Sequence, residues 1–253
     1  MSASVVFSMS VDDGHPLDLR MAALLQSHQI KATFYLPISN QEGWPVMSPV
    51  AMRELAQSFE IGSHTHSHRF LNNLPGAEAW QEISDGKKQL QDYLGSEVDG
   101  FCYPGGRYHH LHRLQVRAAG FRYARTTQNL RIDSEFPKFD MPTTVQFYPH
   151  PRSVLVRNFI SQRDWLKRCA TFNIVLTADD WLARLNGLLD LAIQRDGVFH
   201  LWCHSIDIEK LQIWTQLDTF LRRVAHDIDT AQRVCNRDLI KLPIHSTETH
   251  QAP

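Results

Sequence analysis

The sequence predicts an α/β protein built on a parallel sheet, either open or closed into a barrel. Short β-prone runs alternate with helical segments through most of the 253 residues, which is typical of parallel strands joined by crossover helices. No internal repeat and no linker rich in Pro, Gly or Ser divides the chain. Because α/β barrels of this length commonly form one unit, we expect a single domain over residues 1–245 and a loose tail over residues 246–253.

The individual elements follow from apolar spacing. A strand pattern over residues 5–11 stops at Asp12-Asp13-Gly14, and an apolar stripe then predicts a helix before the next strand, which makes one β-α-β unit. Strands are predicted at residues 5–11, 32–36, 60–62, 100–103, 121–124, 139–141, 144–148 and 198–203. Helices are predicted at residues 17–28, 52–58, 80–94, 181–193 and 211–224, and Gly95 is placed to cap the third of these.

Composition excludes several classes of protein. The 26 Lys and Arg residues balance 27 Asp and Glu residues, so we expect no nucleic-acid partner. No apolar run approaches the roughly 18 residues of a membrane span, and no Lys or Arg precedes the apolar residues 5–9 as in a signal peptide. The four cysteines lack C-x-x-C spacing and are too few for a disulfide framework. A reducing cytoplasm is therefore the expected location; the oligomeric state is not indicated.

Polar residues stand directly after several predicted strands. Asp12 and Asp13 form an adjacent pair that has two explanations, a common Asp-Gly turn or two carboxylates with separate roles. Side chains of neighbouring residues in an extended backbone point to different sides, so one carboxylate can bind a metal ion while the other faces a substrate. Ligands of parallel α/β sheets gather at the carboxyl ends of the strands. We expect convergence there of Asp12, Asp13, His64, Pro104 and His204.

Three alternating histidines, His64, His66 and His68, lie in one short segment. A solvated loop is one explanation, but metal binding is favoured because an unpaired cluster of buried histidines is costly. An extended backbone would place all three imidazoles on one face, whereas a helical turn would bring His64 and His68 together. Two imidazoles and one carboxylate leave coordination positions open, as in catalytic metal sites, and suit zinc, cobalt, nickel or iron.

Four segments carry these residues: Ser10-Val11-Asp12-Asp13-Gly14, His64-Thr65-His66-Ser67-His68, Tyr103-Pro104-Gly105-Gly106 and Leu201-Trp202-Cys203-His204. In order and spacing they resemble the polysaccharide deacetylase family, the NodB-homology domain of carbohydrate esterase family four. The resemblance implies an irregular (β/α) barrel of about seven parallel strands. It also implies Asp12 as catalytic base, His204 as the acid that protonates the leaving amine, and Asp13, His64 and His68 as ligands of one divalent ion, with zinc favoured.

The third motif departs from the family pattern. Cys102 stands where the family has an Arg that holds the catalytic Asp, and Gly105 stands in place of an aromatic residue. Arg107 and Arg152 are candidate replacements for that Arg, and the Gly105 backbone N–H is a candidate oxyanion donor. The fourth motif has no firm position, since Asp179-Asp180-Trp181 also fits a helix cap.

Several aromatic and histidine residues have weaker interpretations. Tyr103, Trp202 and Trp44 are candidates for stacking on a sugar ring, although aromatic residues near strand ends more often belong to the core. The cluster His109, His110 and His112 has no carboxylate nearby in the sequence and fits a solvated loop.

The resemblance predicts a hydrolase that removes an N-acetyl group from an amino sugar and releases acetate. The substrate would be a bacterial surface glycan or its lipid- or nucleotide-linked precursor, and the expected cytoplasmic location favours the precursor. Two alternatives remain open. One is a deformylase or another amide hydrolase of the same fold; the other is a glycan-binding protein without activity, which the missing Arg at position 102 suggests.

Overall fold

The computed structural model describes residues 5–162 and 164–242, and their strands form one sheet. The strands are β1 (Val6–Asp12), β2 (Thr33–Leu36), β3 (Glu60–Ser63), β4 (Gly100–Cys102), β5 (Tyr123–Arg125), β6 (Val145–Gln146), β7 (Val198–Cys203) and β8 (Arg233–Val234). Seven lie in the order β5-β4-β3-β2-β1-β7-β6 with every neighbouring pair parallel, and β8 pairs with the start of β1. The seven strands form a half-barrel, which confirms the predicted fold class.

Helices connect the strands and surround the sheet. They are α1 (Asp18–Ser27), α2 (Pro49–Ala56), α3 (Gly76–Leu94), α4 (His110–Ala118), α5 (Arg152–Ser161), α6 (Trp165–Thr177), α7 (Trp181–Gln194), α8 (Ser205–Lys210), α9 (Trp214–Asp227) and α10 (Asn236–Leu239). Gly95 ends α3 with a left-handed φ of 69°, as predicted. No helix among the described residues has the length and apolar composition needed to cross a membrane.

The sequence-based elements differ from the structure at specific places. The predicted helix at residues 211–224 corresponds to α9, which begins and ends three residues later, at Trp214 and Asp227, and the predicted strand at residues 139–141 contributes a single bridge between Met141 and Arg125. Helices α4, α5, α6, α8 and α10 and strand β8 were not predicted. The predicted tail over residues 246–253 lies outside the described residues.

Strand β1 lies at the centre of the sheet and is buried along its whole length. Its alternate residues Phe7, Met9 and Val11 belong to the main apolar core. The residues between them face a polar interior: Ser8 donates to Asn236 at 2.7 Å, Ser10 lies 2.6 Å from His200, and Asp12 contacts Arg125. Because of this alternation, the side chains of Ser8, Ser10 and Asp12 lie in one row along the strand, with Asp12 at its carboxyl end.

Helix α3 fixes the backbone of the histidine segment that follows β3. The N–H of His66 donates to the Glu82 carbonyl at 2.9 Å, and the N–H of Ser67 donates to the Glu82 carboxylate at 2.8 Å. One turn further, the absent side chain of Gly86 allows a close approach, because an added Cβ would lie 2.7 Å from the Thr65 carbonyl carbon. The position of this segment therefore depends on a glycine in a helix interior.

We expect Gly86→Ala to lower the free energy of unfolding by about 1–3 kcal/mol, because the added methyl group meets backbone atoms that cannot rotate away. This loss should outweigh the higher helix propensity of Ala, worth about 1 kcal/mol. Urea denaturation measures the difference. Gly76→Ala at the start of the same helix is the control, since its Cβ would meet only Leu111 Cδ2 at 3.4 Å. Equal stability of both variants would contradict the close approach.

Candidate active site

The strand ends bring the predicted carboxylate and histidine side chains together. Nε2 of His68 lies 3.1 Å and Nε2 of His64 3.5 Å from Oδ1 of Asp13, and Nε2 of His204 lies 3.7 Å from Oδ2 of the same carboxylate. His66 is turned away, with its Nε2 3.0 Å from Gln89 on α3. Of the two arrangements that the sequence left open, the structure has the one that groups His64 with His68.

The contacts of His64 indicate what this cluster can bind. Its Nδ1 lies 2.8 Å from the Cys102 carbonyl oxygen, which can only accept a hydrogen bond, so Nδ1 carries the proton. In a neutral ring the lone pair of Nε2 then faces the Asp13 carboxylate. Oδ1 of Asp13 and Nδ1 of His68 are also buried without a hydrogen-bond partner among the described residues. The lone pair of His64 Nε2 and the unpartnered Oδ1 of Asp13 thus face one another, an arrangement that fits a shared cation.

Asp13, His64 and His68 offer ligand atoms that all lie within 4.8 Å of one another. The group Asp12, His64 and Cys102 meets the same distance criterion. That second group is the poorer candidate because Asp12 is paired with Arg125 and because burial raises the pKa of the Cys102 thiol, which keeps it protonated. The first group is therefore the candidate metal site.

The backbone is strained at this site. Asp13, Thr65 and His68 have φ values of 80°, 68° and 58°, in the left-handed region that side chains other than glycine rarely adopt. Each such residue costs about 1–3 kcal/mol and persists only where the surrounding structure enforces it. Two of the three are the candidate ligands themselves, so the strain places their side chains in the cluster.

Charges in the cluster shift the pKa values of its members. Burial would raise the pKa of Asp13, but the neighbouring imidazoles outweigh it and hold that pKa well below its usual range. Burial would likewise lower the pKa of His204, but its hydrogen bond to Asp207 and the charges of Asp13 and Asp12 raise it to about 9. Asp13 is thus ionised and His204 protonated at neutral pH.

Asp12 is paired with Arg125, a residue that sequence reasoning missed. Nη2 of Arg125 donates to both carboxylate oxygens of Asp12 at 2.5 and 2.6 Å, and both side chains are buried. Arg125 ends β5 and pairs in register with Cys102, which ends β4. The guanidinium absent from position 102 is therefore supplied from the neighbouring strand at the same level of the sheet.

The interpretation that Arg107 or Arg152 replaces the missing Arg is wrong. Arg107 is exposed and its guanidinium lies over the Phe70 ring, 4.6 Å from the centroid. Arg152, at the start of α5, is also exposed and donates to the Ala178 carbonyl at 2.6 Å. Arg107 lies in the loop after β4 and Arg152 lies in α5, and both are on the surface. A side chain that contacts Asp12 must instead point into the interior of the half-barrel.

The aromatic candidates occupy different environments. Tyr103 is fully buried, stacks on Tyr108 at 4.0 Å and donates to the Phe139 carbonyl, so it is a core residue. Trp202 is partly buried, with its ring 5.3 Å from that of His204 and 5.0 Å from the Arg125 guanidinium carbon. Trp44 is 44% exposed, with Lys210 Nζ 3.8 Å from its ring centroid. Trp44 is therefore the aromatic candidate with an open surface.

The structure also shows the positions of Gly105, of the second histidine cluster and of Asp180. Gly105 lies exposed in the turn after β4 with a φ of 58°, and an added Cβ would contact Phe70 at 2.9 Å. His109 and His112 cap the start of α4, where the His109 N–H donates to His112 Nδ1 at 2.9 Å. Asp180 accepts from the Ala183 N–H at 2.7 Å and caps α7, the alternative considered for the fourth motif.

A cavity of about 210 Å³ opens beside the cluster. Asp13 and His204 form its inner wall, and the loops after β1 and β2 together with α8 form the rest. Its lining residues are Asp13, His15, Glu42, Trp44, Pro45, His204, Ile206, Asp207 and Lys210. The cavity combines one exposed aromatic ring with charged groups of both signs, a lining that suits a polar ring compound.

Fold and site together define a class of protein: an α/β half-barrel with carboxylates and imidazoles clustered at its strand ends. The polysaccharide deacetylase family model matches residues 3–124. The chain's resemblance to that family is thereby confirmed, and the family's hydrolase fold is present. A relative from Bacillus subtilis (strain 168), named as the uncharacterized protein YlxY, is 26% identical over 105 residues. These residues are 41% of this chain and 32% of YlxY, so the match spans about a third of that relative.

Solved structures share the fold over most of the chain. The chitin deacetylase from the fungal pathogen Colletotrichum lindemuthianum is 13% identical with a TM-score of 0.57, over 89% of this chain and 85% of that one. A family 4 acetyl xylan esterase from Clostridium thermocellum, in complex with a cobalt ion, is 16% identical with a TM-score of 0.55, over 94% and 93%. At these identities the likeness shows the fold alone.

We expect Arg125→Met to lower the free energy of unfolding by about 3–5 kcal/mol, because the Asp12 carboxylate would stay buried without a cation. Adding Asp12→Asn to this variant should recover part of the loss, and a double-mutant cycle from urea denaturation measures the coupling. Arg107→Met and Arg152→Met are matched controls, each expected within about 0.5 kcal/mol of the parent. Additive effects of the Asp12 and Arg125 substitutions would rule out the buried pair.

Proposed function

We propose that the protein is a metal-dependent hydrolase that removes an N-acetyl group from an amino sugar and releases acetate. The observation that carries the proposal is the cluster of Asp13, His64 and His68 with Asp12 and His204 beside it, at the strand ends where ligands of such folds bind. The confirmed family resemblance supports the same conclusion. Cleavage of an amide by water requires a base, an acid and stabilisation of an oxyanion, and this set of residues can supply the first two.

Asp13, His64 and His68 would hold one divalent ion, most readily zinc. Such an ion lowers the pKa of water and polarises a carbonyl group. Contacts within the chain orient the rings of His64 and His68 towards Asp13. The Cys102 carbonyl fixes the His64 ring so that Nε2 faces Asp13, and the left-handed backbone at His68 turns its ring to the same oxygen.

Asp12 would act as the general base. Both of its carboxylate oxygens accept from Arg125, and these hydrogen bonds fix the orientation of the carboxylate. The Cys102 thiol also lies beside this carboxylate, 3.9 Å from Oδ2 of Asp12. The base is therefore held rigidly, as efficient proton transfer requires.

His204 would act as the general acid. Asp207 accepts from its Nδ1 at 2.8 Å, so in the protonated ring Nε2 carries the second proton on the side of Asp13 and the cavity. With a pKa of about 9, His204 holds this proton at neutral pH and can give it to the leaving amine.

The cavity supports a small substrate unit. Its volume of about 210 Å³, with Trp44 as an exposed wall, suits one sugar ring. We therefore favour a lipid- or nucleotide-linked amino sugar, a precursor of a bacterial surface glycan, over the interior of a polymer. The four cysteines are free, three of them buried, which fits a reducing cytoplasm. The exposed Gly105 N–H remains the candidate oxyanion donor.

Deformylation or hydrolysis of another amide is the second candidate, since it would use the same base, acid and metal ligands. The glycan-binding alternative has lost its motivation, because Arg125 supplies the guanidinium that the third motif lacks. Comparing release of acetate and formate from matched N-acyl amino sugars distinguishes the two hydrolases.

Protein purified without a histidine tag should contain about one equivalent of divalent metal. His64→Ala/His68→Ala should abolish binding, whereas His66→Ala should retain it, because His66 bonds Gln89 away from the cluster. Elemental analysis measures the metal content. Asp12→Asn should keep the metal and lower acetate release by about 10²–10⁴-fold. Absence of metal from the parent protein, even after addition of zinc or cobalt, would exclude the proposed mechanism.

Asp207→Asn should shift the alkaline limb of the pH profile of kcat/KM to lower pH. The substitution removes the negative charge that raises the pKa of His204 and leaves at most a weaker, neutral acceptor for Nδ1, so the ring loses its proton below pH 9. Glu209→Gln in the same helix is the control, since Glu209 pairs with Arg20 instead. An unmoved alkaline limb in Asp207→Asn would show that another group is the acid.

A further inference from the structure

Helices α5 and α6 expose an apolar surface that no part of the proposed active site uses. Leu166, Ile160 and Trp165 are 93%, 67% and 59% exposed, which makes them three of the four most exposed large apolar side chains among residues 5–162 and 164–242. All three line one shallow depression of about 720 Å³. We call these three side chains the apolar patch.

The buried face of helix α6 packs through polar as well as apolar side chains. Thr171 and Val175 are fully buried there, and Arg168 is anchored by donating to the Asn129 carbonyl at 2.8 Å. Trp165 and Leu166 are not part of this buried face and stay exposed.

Two exposed arginine residues lie beside the apolar patch. Arg152 and Arg157 line a second depression that shares Ile160 with the first. Lys167, next to Leu166, is paired with Asp133 and Glu135. Within the described residues, no carboxylate forms an ion pair with Arg157.

We propose that the apolar patch docks on the surface of an anionic lipid bilayer. Trp, Leu and Ile side chains insert at the boundary between headgroups and acyl chains, and the flanking Arg152 and Arg157 bind the anionic headgroups. Three protruding side chains suit such shallow insertion, whereas a stable protein interface needs roughly 800 Å² from each partner. A symmetric contact between two copies would also bring their like-charged arginine residues together.

Docking in this way would hold one loop of the half-barrel at the bilayer. The Asn129 N–H donates to Gln162 Oε1 at 3.1 Å, and Gln128 donates to Asp164 at 3.0 Å. These contacts join the turn between α5 and α6 to the loop that follows Arg125. The surface is thus rigidly connected to the strand end that carries the guanidinium.

Cosedimentation of the full chain with vesicles tests the proposal without any assay of catalysis. The parent protein should bind phosphatidylcholine vesicles that contain phosphatidylglycerol more tightly than pure phosphatidylcholine vesicles, and added salt should weaken this binding. Trp165→Ala/Leu166→Ala should lower the partition coefficient by at least about tenfold, from the loss of two inserting side chains. Arg157→Glu should weaken binding only to the anionic vesicles.

Trp80→Ala/Leu111→Ala is the matched control, because it removes the same residue types, 38% and 51% exposed, from α3 and α4. Circular dichroism confirms that each variant is folded. The proposal is overturned if the parent binds neither vesicle, if it binds both equally, or if the control variant loses binding to the same extent. Light scattering that shows a dimer in the parent and a monomer in Trp165→Ala/Leu166→Ala would also overturn it, since a second copy would then cover the patch.

Discussion

A buried carboxylate is stable only where a cation or several hydrogen bonds replace its lost water, and Asp12 has Arg125 for this purpose. The Asp12 and Arg125 side chains come from strands that are not neighbours, β1 and β5, so their contact crosses the interior of the half-barrel. The rings of Tyr35 and Trp202 lie 5.4 and 5.0 Å from the guanidinium carbon and enclose it. The candidate base is therefore fixed by the curvature of the sheet, which brings β1 and β5 to face each other across the half-barrel.

The interior below this pair is polar and has a defined direction of hydrogen bonding. His200 Nδ1 donates to the Pro142 carbonyl at 3.0 Å, so its Nε2 accepts from Ser10, and Ser10 in turn accepts from Asn236 Nδ2 at 2.9 Å. Burial and the charge of Arg125 lower the pKa of His200 to about 3. This histidine is consequently neutral and adds no second cation beneath Arg125. Every partner in the series is satisfied, as a buried polar network requires.

The sequence predicted most of the fold and the main groups of the site, for physical reasons that differ by element. Strands β1, β2 and β7 are largely apolar runs with sharp ends, so their positions and the strand-end residues followed from pattern. Helices α5 and α6 were missed because their apolar and polar residues do not separate into a clear periodic stripe. Arg125 was missed because strand register, which pairs it with Cys102, cannot be read from one sequence. The available sequence signal for Arg125 was its position directly after Tyr123 and Ala124, at the end of a short predicted strand.

Two adjacent aspartates acquire opposite surroundings from a single change of backbone direction. Asp12 ends β1 in extended backbone and faces inward to Arg125, while Asp13 has a φ of 80° and faces three imidazoles. Ordinary strand geometry would place consecutive side chains on opposite faces of the sheet, where only one could face the site. The left-handed residue keeps both carboxylates at the same strand end. The charge of Asp12 is compensated by Arg125, whereas Asp13 faces three imidazoles, whose ring nitrogens can donate to it or share a metal ion with it. Two identical side chains can thus serve as base and as ligand because their environments differ, which is the general way in which one fold separates the roles of paired carboxylates.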